Sequence, residues 1–237
     1  MTEPTIRDNI RALAAAQKSK AGAPLYSRIV NRPVGRVLAA IAHRAHLTPD
    51  QVTLLSAACT LAGIVLLAAA PLAPAATAGT SLMLGYALDS ADGQLARLRH
   101  GGSKAGEWLD HVADAVKLST LHGAVAIGLF RSGRLADPAL LLLPLAYGAV
   151  QNVHFFTYIL TYQLRYHGGT PLARDESRPG LLKSVLSVPT DYGLLCLVLA
   201  LRFAPAPFLW VYGLMLAGHA AYLLAALPKW YLEMRRL

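Results

Sequence analysis

Apolar residues in this chain fall into long runs separated by short polar turns, a pattern that predicts bilayer-crossing helices rather than a water-soluble core. Six runs are legible. The first follows Thr48, an N-cap residue type with Pro49 at the first helical position, and continues through Val52, Leu54, Leu61, Ile64 and Leu67 to Ala70. The Pro-Leu-Ala-Pro turn at 71–74 ends it. The second begins near Ala75, passes Leu82, Met83 and Leu84, and turns polar at Asp89, so its second half must line water or protein rather than lipid. Further runs cover 105–130, 138–164 and 190–203, and the sixth ends near Leu227, followed by Trp230 and Tyr231 at interfacial depth.

The segment before these runs has a different rhythm. Ile6, Ile10, Leu13 and Ala14 recur at helical spacing among basic residues. From Tyr26 to His46 an apolar stripe of Ile29, Val30, Val34, Val37, Leu38 and Ile41 is flanked by Arg28, Arg32, Arg36, His43 and Arg44, which predicts a helix lying in the membrane interface against anionic lipid. The expected architecture is all-α: a juxtamembrane amphipathic segment over 1–46, then a polytopic domain of six transmembrane helices over 47–237. The polar N-terminus has no apolar stretch of the kind a cleaved signal peptide needs.

Charge orients this picture. The chain has 22 Lys and Arg against 13 Asp and Glu, a formal net charge of +9. Most of the excess lies in the N-terminal segment, the 97–104 turn, the 165–189 connection and the C-terminus, while the opposite turns carry Arg131, Arg134 and Arg202. The positive-inside rule places both termini on the cytoplasmic side of a cell membrane. Juxtamembrane charge also accounts for the basic balance without nucleic acid, for which no binding module is recognisable. Cys59 and Cys196 sit inside apolar runs, where packing is the expected role.

The acids are few but clustered. Asp89 and Asp92 precede Gly93, Ala96 and Arg97, and after a basic turn Gly106 precedes Asp110 and Asp114. At helical spacing each set lies on one helix face, so two helices folded together would bring four carboxylates around one small volume. Such a cluster needs cations to neutralise it, and oxygen-only ligands favour Mg²⁺ or Mn²⁺. Small residues beside the acids leave room for a ligand near the backbone. They would equally serve tight helix packing.

These residues match, at every fixed position, the pattern D-x2-D-G-x2-A-R-x8-G-x3-D-x3-D, and the chain thereby resembles the CDP-alcohol phosphotransferase (CDP-alcohol phosphatidyltransferase) family. The resemblance implies transfer of a phosphoalcohol unit from a CDP-linked donor, most simply CDP-diacylglycerol, to the hydroxyl of a small polar alcohol, with release of CMP in phospholipid biosynthesis. One or two divalent ions would be held by Asp89, Asp92 and Asp110, with Asp114 as a further ligand or as the general base. Gly93, Ala96 and Gly106 would line the cytidine pocket, with Arg97 near the phosphates or paired with an aspartate. The segment Pro49-Asp50-Gln51-Val52-Thr53 resembles the family's Pro-Asn-x-Val-Thr/Ser, making Thr53 a nucleotide contact; Asp50 replaces the usual Asn and either approaches the ions or favours the helix N-terminus electrostatically, the commoner role. The family also implies a homodimer, for which Gly213, Ala217 and Ala221 offer a small-residue face.

Other polar groups have open roles. His111 points away from Asp110 and suits a lipid-facing or interhelical position, and Lys117 lies almost one turn beyond Asp114. Arg165, Arg174, Arg178 and Lys183 could bind a phosphorylated acceptor, or merely supply positive-inside charge. Gln151, Asn152, His154, Gln163, Asp191 and His219 are further polar candidates within the spans. Two other classes use acids in this way, a Mg²⁺-dependent membrane prenyltransferase and a non-enzymatic cation carrier, but neither calls for the fixed Gly and Ala-Arg spacing.

Overall fold

A computed structural model describes residues 5–15, 24–69, 75–99, 101–167 and 187–237. The described residues form helices and turns without strands. In chain order the α-helices are α1 (Ile6–Ala15), α2 (Arg32–Arg44), α3 (Pro49–Ala69), α4 (Ala75–Leu98), α5 (Lys104–Ser132), α6 (Leu142–His167), α7 (Tyr192–Ala200) and α8 (Pro205–Met234). Among the described residues, four stretches, Pro49–Ala69, Lys104–Ser132, Pro138–Tyr166 and Pro205–Met234, are long and apolar enough to cross a membrane. Helix α4 falls outside this group although it is 24 residues long, because its second half carries the acids. Tyr192–Phe203 is apolar but short. Helix α8 passes the expected end at Leu227 and continues through Pro228 to Met234.

Local chemistry marks the helix ends. Thr48 and Gln51 form a reciprocal capping pair at the start of α3: the Gln51 N–H donates to Thr48 Oγ1 at 3.2 Å and the Thr48 N–H to Gln51 Oε1 at 2.9 Å. Ser103 caps α5 by accepting from the Gly106 N–H at 2.9 Å, and Gly133 closes that helix at φ 63°, a left-handed conformation that glycine adopts without a Cβ clash. At the far end of α3 the buried Arg202 donates to the Leu67 carbonyl, satisfying one of the acceptors that a helix C-terminus leaves open.

Helices α3 and α4 pack closely because small residues meet at their crossing. A Cβ on Gly85 would run into Thr60, and the Ser56 hydroxyl donates to the Gly85 carbonyl at 2.8 Å. Ser81 likewise donates to the Cys59 carbonyl at 2.7 Å, so short polar side chains bind the pair without bulk. The main core joins α3, α4, α5, α6, α7 and α8 through residues such as Leu67, Leu82, Leu121, Tyr147, Leu199 and Tyr212.

In the N-terminal segment the large apolar residues face outward and the small ones pack inward. The large residues of the α2 stripe and its preceding turn, Ile29, Val34, Val37 and Ile41, are exposed, whereas Gly35, Ala39, Ala40 and Ala42 are buried. Close approach to α4 selects the small face: a Cβ on Gly35 would lie 2.7 Å from Ser90 Oγ, and the Gln94 amide donates to the Arg32 carbonyl at 3.1 Å. Helix α1 adds Leu13 to a second cluster with Ala39, Ala42, Val52, Ala91 and Leu95. Asp191 ties the same region to α7, accepting from the Tyr26 N–H at 2.8 Å and capping α7 through the Gly193 N–H at 3.0 Å.

Candidate active site

The two halves of the acidic motif face each other from α4 and α5. One carboxylate oxygen from each of Asp89, Asp92 and Asp110 lies within 4.8 Å of the other two. Three acids so close repel unless neutralised, and an all-oxygen set of this size fits a hard divalent ion, Mg²⁺ or Mn²⁺. Asp92 is held on both oxygens: Oδ2 accepts from the Thr53 hydroxyl at 2.7 Å, and Oδ1 from the Gly93 N–H at 2.5 Å. Thr53 thus carries the geometry of the capped α3 N-terminus directly to the acid cluster.

Asp114, one turn along α5, stands outside the triad and forms an ion pair with Lys117. The Lys117 ammonium also lies 4.8 Å from the centre of the Tyr192 ring. This answers the open question about Lys117, which faces the acids.

The carboxylates separate two cavities. The larger, about 800 Å³, is lined by Asp92 and Asp110 together with Thr53, Gly93, Ala96, Arg97 and Gly106. It therefore gathers all five residues expected at the nucleotide. The smaller, about 230 Å³, takes the other two acids, Asp89 and Asp114, and Lys117. Tyr158 of α6 borders both.

The two motif glycines are small for different reasons. A Cβ on Gly106 would sit 2.9 Å from Asp50 Oδ1 and 3.2 Å from Ser103 Oγ, so that glycine lets α3 approach the start of α5. A Cβ on Gly93 would meet nothing nearer than Arg97 Nη1 at 3.8 Å, so packing does not require glycine there and the space opens to the cavity. Arg97 borders the same cavity, and its buried Nε has no hydrogen-bond partner among the described residues.

Some readings of the sequence change. Asp50 lines the larger cavity against Gly106. His111 also lines that cavity rather than facing lipid, with Glu107 3.9 Å away. Arg165 is ion-paired with Glu233 of α8 and borders neither cavity. Arg174, Arg178 and Lys183 lie outside the described residues. Tyr158 and Tyr162, one helical turn apart on α6, line the larger cavity without having been singled out. Their spacing is visible in the sequence, but the helix they face is not.

An oxygen-donor triad beside a cavity of this size, within an all-helical bundle of membrane type, is the arrangement a membrane-embedded phosphotransferase requires. The model of the CDP-alcohol phosphatidyltransferase family matches residues 46–226, and the chain belongs to that family, which makes it a transferase. Two crystal structures of phosphatidylinositol phosphate synthase from Mycobacterium tuberculosis share the fold. The complex with manganese and citrate superposes with a TM-score of 0.60 at 19% identity, over 82% of this chain and 87% of that one. The form with CDP-DAG bound gives 0.59 at 18% identity, over 85% and 94%. No curated protein sequence matches the chain significantly.

Proposed function

We propose that this protein transfers the phosphatidyl group of a CDP-linked donor, CDP-diacylglycerol before soluble CDP-alcohols, to an acceptor hydroxyl with release of CMP, as a step of phospholipid biosynthesis. The observation that carries the reading is the division of the acids: Asp92 and Asp110 border the cavity that collects the nucleotide residues, while Asp89 and Asp114 border its neighbour. Donor and acceptor can then meet across one cluster. The manganese and CDP-DAG of the two structural neighbours support the same donor and metal class.

Each residue has a role that follows from its position. Gly93 and Ala96 give the nucleotide access to the α4 backbone, Thr53 holds Asp92, and Arg97 turns its unpartnered guanidinium donor toward the phosphates. Asp89, Asp92 and Asp110 would hold one or two divalent ions, Mg²⁺ or Mn²⁺, which screen the pyrophosphate charge. Asp114 takes the proton from the attacking hydroxyl. A bond forms between that oxygen and the donor's lipid-linked phosphorus, the phosphorus–oxygen bond to CMP breaks, and the proton stays on Asp114 until solvent removes it.

The membrane arrangement completes the reading. Helices α3 to α6, the short α7 segment and α8 make six crossings, with the termini and acids at the cytoplasmic face. The exposed apolar stripe of α2 then lies in the lipid interface. Ala217 and Ala221 are exposed on α8 and suit a homodimer contact between close helices.

The test is release of CMP from labelled CDP-diacylglycerol by the purified protein in detergent with Mg²⁺ or Mn²⁺. Release should depend on an added alcohol and fall about 10²- to 10⁴-fold in Asp114→Asn. Metal binding without CMP from any acceptor would point to a cation carrier, and turnover of an isoprenyl diphosphate to a prenyltransferase.

A further inference from the structure

A base must present one carboxylate oxygen to the attacking hydroxyl, and Asp114 lies outside the acid triad. Lys117, almost one turn along α5, holds it in an ion pair, with the lysine side chain 12% and the aspartate 26% exposed. That pair alone is a loose anchor, because a lysine head turns on a flexible carbon stem. The ammonium is also placed from outside α5. It lies 4.8 Å from the centre of the Tyr192 ring on α7, within the distance over which a ring face attracts a cation.

The ring is itself fixed by its neighbours. Tyr86 of α4 meets Tyr192 edge-on, with centroids 5.1 Å apart and 71° between planes, and Tyr26 stacks on Tyr86 at 6.3 Å and 21°. Asp191, 2% exposed, joins the two ends of this row: Oδ2 accepts from the Tyr26 N–H and Oδ1 from the Gly193 N–H. The Tyr26 ring occupies the space that a Cβ on Gly193 would need. Backbone and rings therefore give Tyr192 one seat, and the cation over it one position. Tyr86, Tyr192, Lys117 and Asp114 all border the smaller cavity, so the row that begins at the N-terminal segment ends at the base.

We propose that Tyr192 is a positioning residue: its ring seats Lys117, and Lys117 orients the Asp114 carboxylate toward the acceptor hydroxyl. The proposal rests on the transferase reading above, with Asp114 as base. The face of the ring is what acts, so the Tyr192 hydroxyl is dispensable for it. Misplacing a catalytic group by about 1 Å can cost about a hundredfold in rate, so loss of this seat shows in turnover.

A double-mutant cycle tests it, read as CMP release from CDP-diacylglycerol with Mn²⁺ and whichever of serine, inositol, glycerol phosphate and inositol phosphate the wild type turns over fastest. Tyr192→Leu should lower kcat about tenfold, the scale of one desolvated cation–π contact, with donor KM and Mn²⁺ affinity within about twofold of wild type. Tyr192→Phe keeps the ring and should recover most of that loss. Lys117→Met should lower kcat at least as much as Tyr192→Leu, and in that background Tyr192→Leu should change kcat by less than about twofold. Additive losses in the cycle overturn the proposal, because Tyr192 would then act independently of Lys117. A Tyr192→Phe protein as slow as Tyr192→Leu overturns it without any lysine variant, and a Lys117→Met protein with wild-type kcat overturns it without any tyrosine variant, so neither test depends on every variant folding. A rise in donor KM or a loss of Mn²⁺ affinity that accounts for the slower turnover also overturns it, by placing these residues on the donor or the ions. No CMP from wild type with any alcohol overturns the transferase reading and this inference with it.

Discussion

The Thr53 hydroxyl on α3 donates to Asp92 Oδ2 on α4 at 2.7 Å, coupling a capped helix N-terminus to the proposed metal centre. Supports of this kind orient a ligand oxygen, and losing one typically weakens metal affinity about 10- to 100-fold. Thr53→Val should reduce Mn²⁺ affinity on that scale, measured by calorimetric titration, and Thr53→Ser should retain most of it.

The triad itself should be indispensable. Chelation of divalent ions should abolish CMP release, and Mg²⁺ or Mn²⁺ should restore it. Asp89→Asn, Asp92→Asn and Asp110→Asn should each lower turnover by about a thousandfold or more, since charge stabilisation by a metal is worth several kcal/mol. Residual activity near wild type in any of the three would remove that residue from the ligand set.

Asp114→Asn should behave differently, because Asp114 lies outside the triad. Loss of a general base lowers kcat about 10²- to 10⁴-fold. Donor KM and Mn²⁺ affinity should stay near wild type. A collapse of metal affinity would assign Asp114 to the ions.

Gly93 separates binding from packing. Its Cβ direction is open, so Gly93→Val should leave thermal stability nearly unchanged while raising the donor KM, read by titrating CDP-diacylglycerol in the CMP assay. A stability loss with unchanged KM would make Gly93 a packing residue instead.

Gly85 and Gly123 form the complementary pair. A Cβ on Gly85 collides with Thr60, so Gly85→Ala should destabilise by about 1–3 kcal/mol through overpacking. Gly123, inside α5 with nothing within 4 Å of a built Cβ, should gain about 0.5–1 kcal/mol as Ala through helix propensity. Thermal unfolding in detergent should shift in opposite directions for the two.

Much of the architecture was legible because its causes are local. Thr48 and Pro49 mark the start of α3 by their own hydrogen-bonding and backbone preferences, and the apolar runs reflect the absence of water in a bilayer. The α2 stripe shows where this reasoning stops. Periodicity reported that Val34, Val37 and Ile41 share a face, but which face meets α4 depended on how closely Gly35 and Ala39 allow the helices to approach. His154 and His219 present the same limit: 65 residues separate them, and only the crossing of α6 and α8 makes them a pair.

The acidic motif spans both kinds of information. Its spacing of three and four residues aligns the acids on helix faces wherever those helices go, so the chain alone carried an oxygen-donor cluster of the kind a hard metal ion suits. Packing decided how that chemistry is divided. The approach of α6, α7 and α8 to α4 and α5 puts Asp92 and Asp110 on the larger cavity, Asp89 and Asp114 on the smaller, and His219 within the latter. Contacts between distant segments depend on the shapes of whole helix surfaces, and no short stretch of sequence contains them.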